Sequence, residues 1–189
     1  VLQAAMNVLL IVFLSLLSYQ DREVIYLEEA TQNLLLPFND LPILVDSTGV
    51  MTFEEVQNVQ QGFTLHTQFV PKDYCTSCVY WVKVPIYFDR SSEKEWILEF
   101  YDQTIDRIDA YFPQQDGSYT VETVGDMYPF SKKGFQHKNF EWLLDTDLTG
   151  QQVLYFKVQS HSYADIRIAI RTVNQFVGYA VSEYFLYGI

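Results

Sequence analysis

Two predicted strands each carry an aromatic residue and a cation two positions apart, a spacing that suits binding of a polar ligand. Trp81 and Lys83 are paired in this way in "VYWVKVPIY", and Tyr155 and Lys157 are paired in "QVLYFKVQS". Because side chains alternate along a strand, each pair lies on one face, and that face is less apolar than the other. Aromatic rings beside hydrogen-bond donors suit polar organic ligands, sugars included. We expect these four residues to line a shared groove; the alternative is an ordinary solvated sheet face with cross-strand aromatic pairs.

A short basic segment offers a second set of contacts in an otherwise acidic chain. The formal net charge is -12, yet "VGDMYPFSKKGFQH" contains Lys132, Lys133 and His137. We place Lys133 and His137 at the rim of the predicted groove. The alternative is that these cations pair with surface carboxylates, at about 0–1 kcal/mol per pair.

The two cysteines, Cys75 and Cys78, form a C-x-x-C pair in "DYCTSCVYW". Such a pair is found in redox sites, in half of a zinc site, or as a local disulfide. The chain has no second C-x-x-C, and its three histidines have no ligand spacing. A local disulfide and free thiols therefore both stay open, and a redox or metal role has less support.

Motifs for common enzymatic chemistry are missing from the sequence. There is no G-x-S-x-G elbow, phosphate-binding loop, dinucleotide fingerprint or H-E-x-x-H. The sequence pI of about 4.5 argues against contact with a nucleic-acid backbone, which needs clustered cations. We expect no enzyme activity, no cofactor, no metal and no nucleic-acid partner.

Period-two patterns begin near Gly62 and predict the elements that position these residues. Gly, Pro, Asp and Ser cluster between most of the candidate strands, and no helix intervenes. The pattern predicts an all-β, antiparallel sandwich or jelly roll. Before it, "LPFNDLP" predicts a loop, "REVIYLEEA" a strand or short helix, and "TFEEVQNV" a short helix with Thr52 as N-cap. The candidate strands are "GFTLHTQFV", "CVYWVKVPIYF", "EWILEFY", "DRIDAYF", "SYTVETV", "NFEWLL", "QVLYFKVQS" and "ADIRIAIR".

The two ends of the chain are apolar in a way that suggests export and a membrane. The run from Val8 to Leu17 has the length of the apolar part of a secretory signal, so residues 1–20 are predicted to be a signal segment. The alternative is a buried N-terminal helix. Residues 21–176 are assigned to the sandwich domain. Residues 177–189 are aromatic and apolar, typical of a juxtamembrane segment or of a last helix that packs on the domain.

The order of several motifs resembles a known family. The chain resembles the second type of extracellular domain in bacterial seven-transmembrane receptors with diverse intracellular signalling modules, from roughly Asn33 to Phe176. Lys83, Lys133 and Lys157 stand where that family usually has Arg. Lysine keeps the charge but lacks the planar guanidinium group that binds a carboxylate through two hydrogen bonds. The resemblance rests on "YWVKV", "EWILEFYDQTIDRIDAYFPQQDG", "VGDMYPFSKKGFQHKNFEW", "VLYFKVQS" and "FVGYAVSEYFLYGI".

The resemblance implies a jelly roll similar to carbohydrate-binding modules, with short helical extensions at both ends. It also implies that Tyr184–Ile189 begins the first membrane helix. The expected function is an extracytoplasmic, periplasmic sensor of a small, sugar-like ligand, attached to the membrane through the following region. Two alternatives stay open: a structural module that dimerises the receptor, and an accessory module of a secreted carbohydrate-active enzyme.

Overall fold

Eleven short strands form two stacked sheets in the computed structural model, which describes residues 24–59, 61–89, 93–129 and 137–187. Two α-helices and two 3-10 turns, Phe38–Asp40 and Pro71–Asp73, complete these ranges. The helices are α1 (Phe53–Asn58) and α2 (Val173–Tyr187). The strands are β1 (Ile25–Leu27), β2 (Asn33–Leu36), β3 (Pro42–Asp46), β4 (Thr64–Leu65), β5 (Val79–Phe88), β6 (Trp96–Phe100), β7 (Arg107–Pro113), β8 (Tyr119–Val124), β9 (Phe140–Leu143), β10 (Gly150–Gln159) and β11 (Ile168–Thr172).

The large sheet has the strand order β4-β3-β5-β10-β7-β8, with β1 added beside β5, and the small sheet has the order β2-β11-β6-β9. The β1–β5 pair is parallel and the other pairs in the described ranges are antiparallel. The chain alternates between the sheets, because β6, β9 and β11 lie in the small sheet and β5, β7 and β10 in the large one. The predicted antiparallel β-sandwich is confirmed.

The core between the sheets follows the predicted alternation. Val82, Phe156 and Ile108 point inward from the large sheet, and Leu98 and Ile170 from the small one, all fully buried. The sequence analysis did not predict β2 and β3, because the two prolines of "LPFNDLP" indicated a loop. Pro42 is tolerated because it is the first residue of β3, a position where a strand accommodates proline.

Thr52 is the N-cap of helix α1, as predicted. The Thr52 hydroxyl accepts from the Glu55 amide at 3.3 Å, and the Glu55 carboxylate accepts from the Thr52 amide at 2.8 Å, a capping box. The preceding turn is held by buried Asp46, which accepts the amides of Thr48, Gly49 and Met51 at 2.9 Å. Burial raises the pKa of Asp46, but these bonds outweigh it and leave the pKa below its usual value. The turn and cap together bring α1 onto the outer face of the large sheet.

Cys75 and Cys78 form a disulfide, with their Cα atoms 5.3 Å apart. The bridge precedes β5 directly, and the Cys75 amide donates to the Tyr80 hydroxyl at 2.7 Å. Of the alternatives in the sequence, the local disulfide is the one that forms.

Reduction of this disulfide is expected to lower the free energy of unfolding by at most about 2 kcal/mol, because the bridge closes a loop of very few residues and chain-entropy stabilisation grows with loop length. Thermal unfolding of the purified domain with and without reductant measures the effect. Loss of the folded baseline on reduction would show that the bridge is needed for the fold itself.

The apolar C-terminal segment forms α2, which follows β11 without a break and packs on the outer face of the small sheet through Phe176 and Tyr179. Within the described ranges, neither helix is long and apolar enough to cross a bilayer. The predicted signal segment, residues 1–20, lies outside the described residues. The membrane role of residues 177–189 stays a prediction.

Candidate ligand-binding site

The four residues of the predicted groove lie side by side on the outer face of the large sheet. In the register of β5 and β10, Trp81 pairs with Lys157 and Lys83 pairs with Tyr155. Each aromatic residue therefore has a lysine directly across from it on the neighbouring strand. The parity argument placed these side chains on the correct, shared face.

At Trp81 and Tyr155 this face is not the solvated surface of the alternative interpretation. Trp81 is 0% exposed and Tyr155 is 8% exposed, because they belong to a second, smaller apolar cluster. Phe53 and Val56 of α1 cover this cluster, and the Phe53 ring stacks on Tyr111 at 4.0 Å. The alternation of side chains along β5 and β10 shows on which side of the sheet each residue lies. It does not show that the residues are buried, because the helix that covers this side comes from another part of the chain.

The two lysines lie half-buried at the margin of the cluster. The Lys83 ammonium lies 5.7 Å from the centre of the Phe63 ring, and the Lys157 ammonium lies 5.3 Å from the Trp81 ring. Such contacts contribute about 0.5–1 kcal/mol at exposed sites. Burial raises the pKa of the Tyr155 hydroxyl to about 12. Trp81 Nε1 is buried and has no hydrogen-bond partner among the described residues. Both lysines therefore have contacts within the fold.

The predicted rim residues do not join this cluster. His137 is buried on the small sheet, with Nδ1 at 2.5 Å from Glu141 Oε1, so its predicted place at the groove rim is wrong. The reason is topological, because the chain crosses from the large sheet to the small sheet between β8 and β9. Lys133 lies outside the described residues.

A cleft of about 340 Å³ opens instead at one end of the sandwich, where β7, β8, β9 and β10 meet. Its apolar floor contains Phe112 and Trp142, whose ring centres are 6.1 Å apart. Polar side chains from β8, from β10 and from the β7–β8 and β9–β10 turns surround this floor. They are Gln114, Thr120, Glu122, Asp145 and Gln152.

The polar wall is arranged by contacts within the β7–β8 hairpin. The Gln114 side-chain amide donates to Thr120 Oγ1 at 3.1 Å and to the carbonyl of Pro113 at 3.0 Å. Glu122 and Asp145 are exposed and carry carboxylate acceptors. None of the described residues that line this cleft is Lys, Arg or His. Its chemistry therefore suits a neutral ligand that donates hydroxyl hydrogen bonds, and disfavours an anion.

Sequence reasoning missed this cleft because its wall comes from four separated segments. The available signals were the inward parity of Trp142 and the Asp116–Gly117 turn that folds β7 and β8 into a hairpin. A second cleft, of about 520 Å³, lies beside Phe38, His66 and Phe69, at the opposite end of β5. Phe88 in the first cleft and Tyr80 in the second are eight positions apart, or roughly 26 Å of strand.

Comparison with known proteins gives one structural likeness and one family match. No curated protein matches the chain by sequence. Among solved structures, the β-glucuronidase from Ruminococcus gnavus in complex with N1-substituted uronic isofagomine matches with 12% identity and a TM-score of 0.44. The match covers 80% of this chain and 31% of the glucuronidase chain. The family model described as 7TMR-DISM extracellular 2 matches residues 39–172, so the chain belongs to this family of extracellular sensor domains of seven-transmembrane receptors.

Proposed function

We propose that this extracellular receptor domain senses a neutral, polyhydroxylated ligand of the sugar class in the cleft floored by Phe112 and Trp142. The observation that carries the proposal is the composition of the cleft lining. Aromatic rings in the floor lie beside amide and carboxylate acceptors in the wall, and no described lining residue is a cation. Aromatic faces pack against the C–H faces of sugars, and carboxylates accept from their hydroxyl groups. A hydrogen bond to a charged group contributes about 1.5–3 kcal/mol.

The position of the cleft supports a sensing role. Glu141 of β9 lines the cleft and also contacts His137, which lies beneath α2. By its resemblance to the family, α2 leads towards the first membrane helix. A ligand that draws β9 towards the β7–β8 hairpin would therefore favour one position of α2 over another, and the receptor would respond to that shift in population.

Removal of either cleft carboxylate is expected to weaken sugar binding at least tenfold. The first step is a thermal-shift screen of neutral sugars, sugar acids and small organic acids with the purified domain. Titration calorimetry then compares the parent with Glu122→Gln and Asp145→Asn. Glu54→Gln, on the exposed side of α1, is the matched control because it makes the same chemical change away from the cleft.

The outer-face residues Trp81, Lys83, Tyr155 and Lys157 are the second candidate site, together with Lys133 from the sequence prediction. Trp81 Nε1 favours this site, since it lacks a partner among the described residues. Lys83→Ala and Lys157→Ala in the same titration separate the two. If the carboxylate variants bind like the parent and the lysine variants bind weakly, the ligand does not bind in the cleft, and the outer face of the large sheet is the binding site.

The structural-module alternative also has an observation in its favour. Four apolar side chains of α2 are exposed: Val177, Val181, Phe185 and Leu186, with Phe185 at 88%. Sedimentation over a range of protein concentrations measures association. A tight dimer with no ligand in the screen would make dimerisation the leading function.

A further inference from the structure

The side chains of two glutamates lie opposite each other beneath α2, and their buried negative charges need positive charge nearby. Glu99 of β6 and Glu141 of β9 are directly opposed in the antiparallel register, on the outer face of the small sheet. They are 0% and 5% exposed. Like charges opposed across two strands destabilise a sheet, and buried carboxylates need compensating partners.

The protein compensates Glu99 more fully than Glu141. Arg171 donates to Oε2 of Glu99, and Asn139 Nδ2 donates to Oε1 at 2.6 Å. Oε1 of Glu141 lies 2.5 Å from His137 Nδ1, but Oε2 of Glu141 is buried without a hydrogen-bond partner among the described residues. Glu141 is thus a buried carboxylate with one satisfied oxygen.

His137 completes a set of metal-binding atoms. Its Nδ1 faces Oε1 of Glu141 and lies 4.0 Å from Oε1 of Glu99, and ligand atoms of the three residues all lie within 4.8 Å of one another. One imidazole nitrogen and two carboxylate oxygens are a donor set that Zn²⁺ accepts, with one or two further positions filled by a second carboxylate oxygen or by water.

The other ring nitrogen of His137 has the environment of a metal-bound histidine. Nε2 lies 3.4 Å from Oε2 of Glu183 on α2. Metal-ligating histidines usually donate their second N–H to a carboxylate, which fixes the tautomer and the ring orientation. Glu183 is held in place by Lys138 Nζ at 2.9 Å and the Tyr179 hydroxyl at 2.6 Å.

We propose that Glu99, His137 and Glu141 form a Zn²⁺ site between the small sheet and α2, with Glu183 as the acceptor that orients His137. The ion takes the place of the hydrogen bond between Nδ1 and Glu141, and the proton of that bond leaves to solvent. Binding engages the unpartnered oxygen of Glu141. It also strengthens the contact between His137 and Glu183, so the ion fastens α2 to the sandwich.

Calorimetric titration of Zn²⁺ into the untagged, EDTA-treated full chain tests the site. We expect saturable binding of one ion, and a visible absorption spectrum of nitrogen and oxygen ligation when Co²⁺ replaces Zn²⁺. Glu141→Gln and His137→Gln should weaken Zn²⁺ binding at least 100-fold, and Glu183→Gln should weaken it about 10–100-fold. Glu54→Gln should bind like the parent.

Two results would overturn the site. One is the absence of saturable binding by the parent. The other is equal Zn²⁺ affinity of Glu141→Gln, Glu183→Gln and the control, which would place the ion elsewhere, for example on His66 or His161. Thermal unfolding of each variant without metal establishes that it is folded. The Co²⁺ spectrum of the parent provides a readout that does not depend on any variant.

Discussion

Gly125→Ala is expected to lower the free energy of unfolding by about 3 kcal/mol or more. Gly125 directly follows β8 and has φ at +148°, a backbone conformation that residues with a side chain rarely adopt. A Cβ atom there would lie 2.0 Å from the carbonyl oxygen of Asp106 and 2.7 Å from Cα of Arg107. These obstacles are backbone atoms, so no side chain can move aside to relieve the clash.

The surrounding hydrogen bonds prevent the two segments from separating. The Asp126 amide donates to the carbonyl of Ile105 at 2.8 Å, and the Met127 amide donates to that of Asp106 at 3.2 Å. A separation wide enough for a methyl group would break both. Urea denaturation measures the effect as a lower midpoint at unchanged slope.

Gly117→Ala is the matched control for this prediction. Gly117 also has a positive φ, +82°, but a Cβ atom there meets nothing within 4 Å. Its cost should be confined to backbone strain, about 1 kcal/mol. Equal losses at the two positions would show that the close approach at Gly125 is not what makes glycine necessary.

Arg171→Met is expected to cost about 3–5 kcal/mol, the usual penalty for removing one partner of a buried ion pair. Arg171 is buried, donates to Glu99 and to the Tyr101 hydroxyl, and stacks on the Tyr179 ring at 4.5 Å. The methionine side chain keeps much of the apolar stem. What it removes is the charge that compensates Glu99, so the carboxylate is left buried beside Glu141.

Arg167→Met provides the comparison. Arg167 pairs with Asp165, but both side chains are partly exposed, at 42% and 34%. A surface pair of this kind contributes about 0–1 kcal/mol. The double variant Glu99→Gln with Arg171→Met should recover part of the loss, because it removes both charges together. A small effect of Arg171→Met alone, measured by urea denaturation, would mean that Glu99 is compensated from elsewhere.

Local patterns in the sequence determined which residues share a face. The alternation in β5, β7 and β10 separates Trp81 and Lys157 from Val82 and Phe156, and the structure keeps that division. The N-cap at Thr52 was also predicted from the sequence, because capping depends on residues within one helical turn. Both signals are local, so the pattern is set before any long-range contact forms.

Only the tertiary structure decided what lies above each face. Helix α1 buries Trp81 and Tyr155. Helix α2 covers Glu99, His137 and Glu141. The residue patterns of the strands do not indicate which helix covers which face. The cleft has the same origin, since its walls come from four segments of the chain. Periodicity records the side of a strand on which a residue lies, whereas burial depends on which distant segment packs against that side. For this reason the antiparallel sandwich followed from the sequence, and the positions of the candidate sites followed from the packing of its two helices and the ends of its strands.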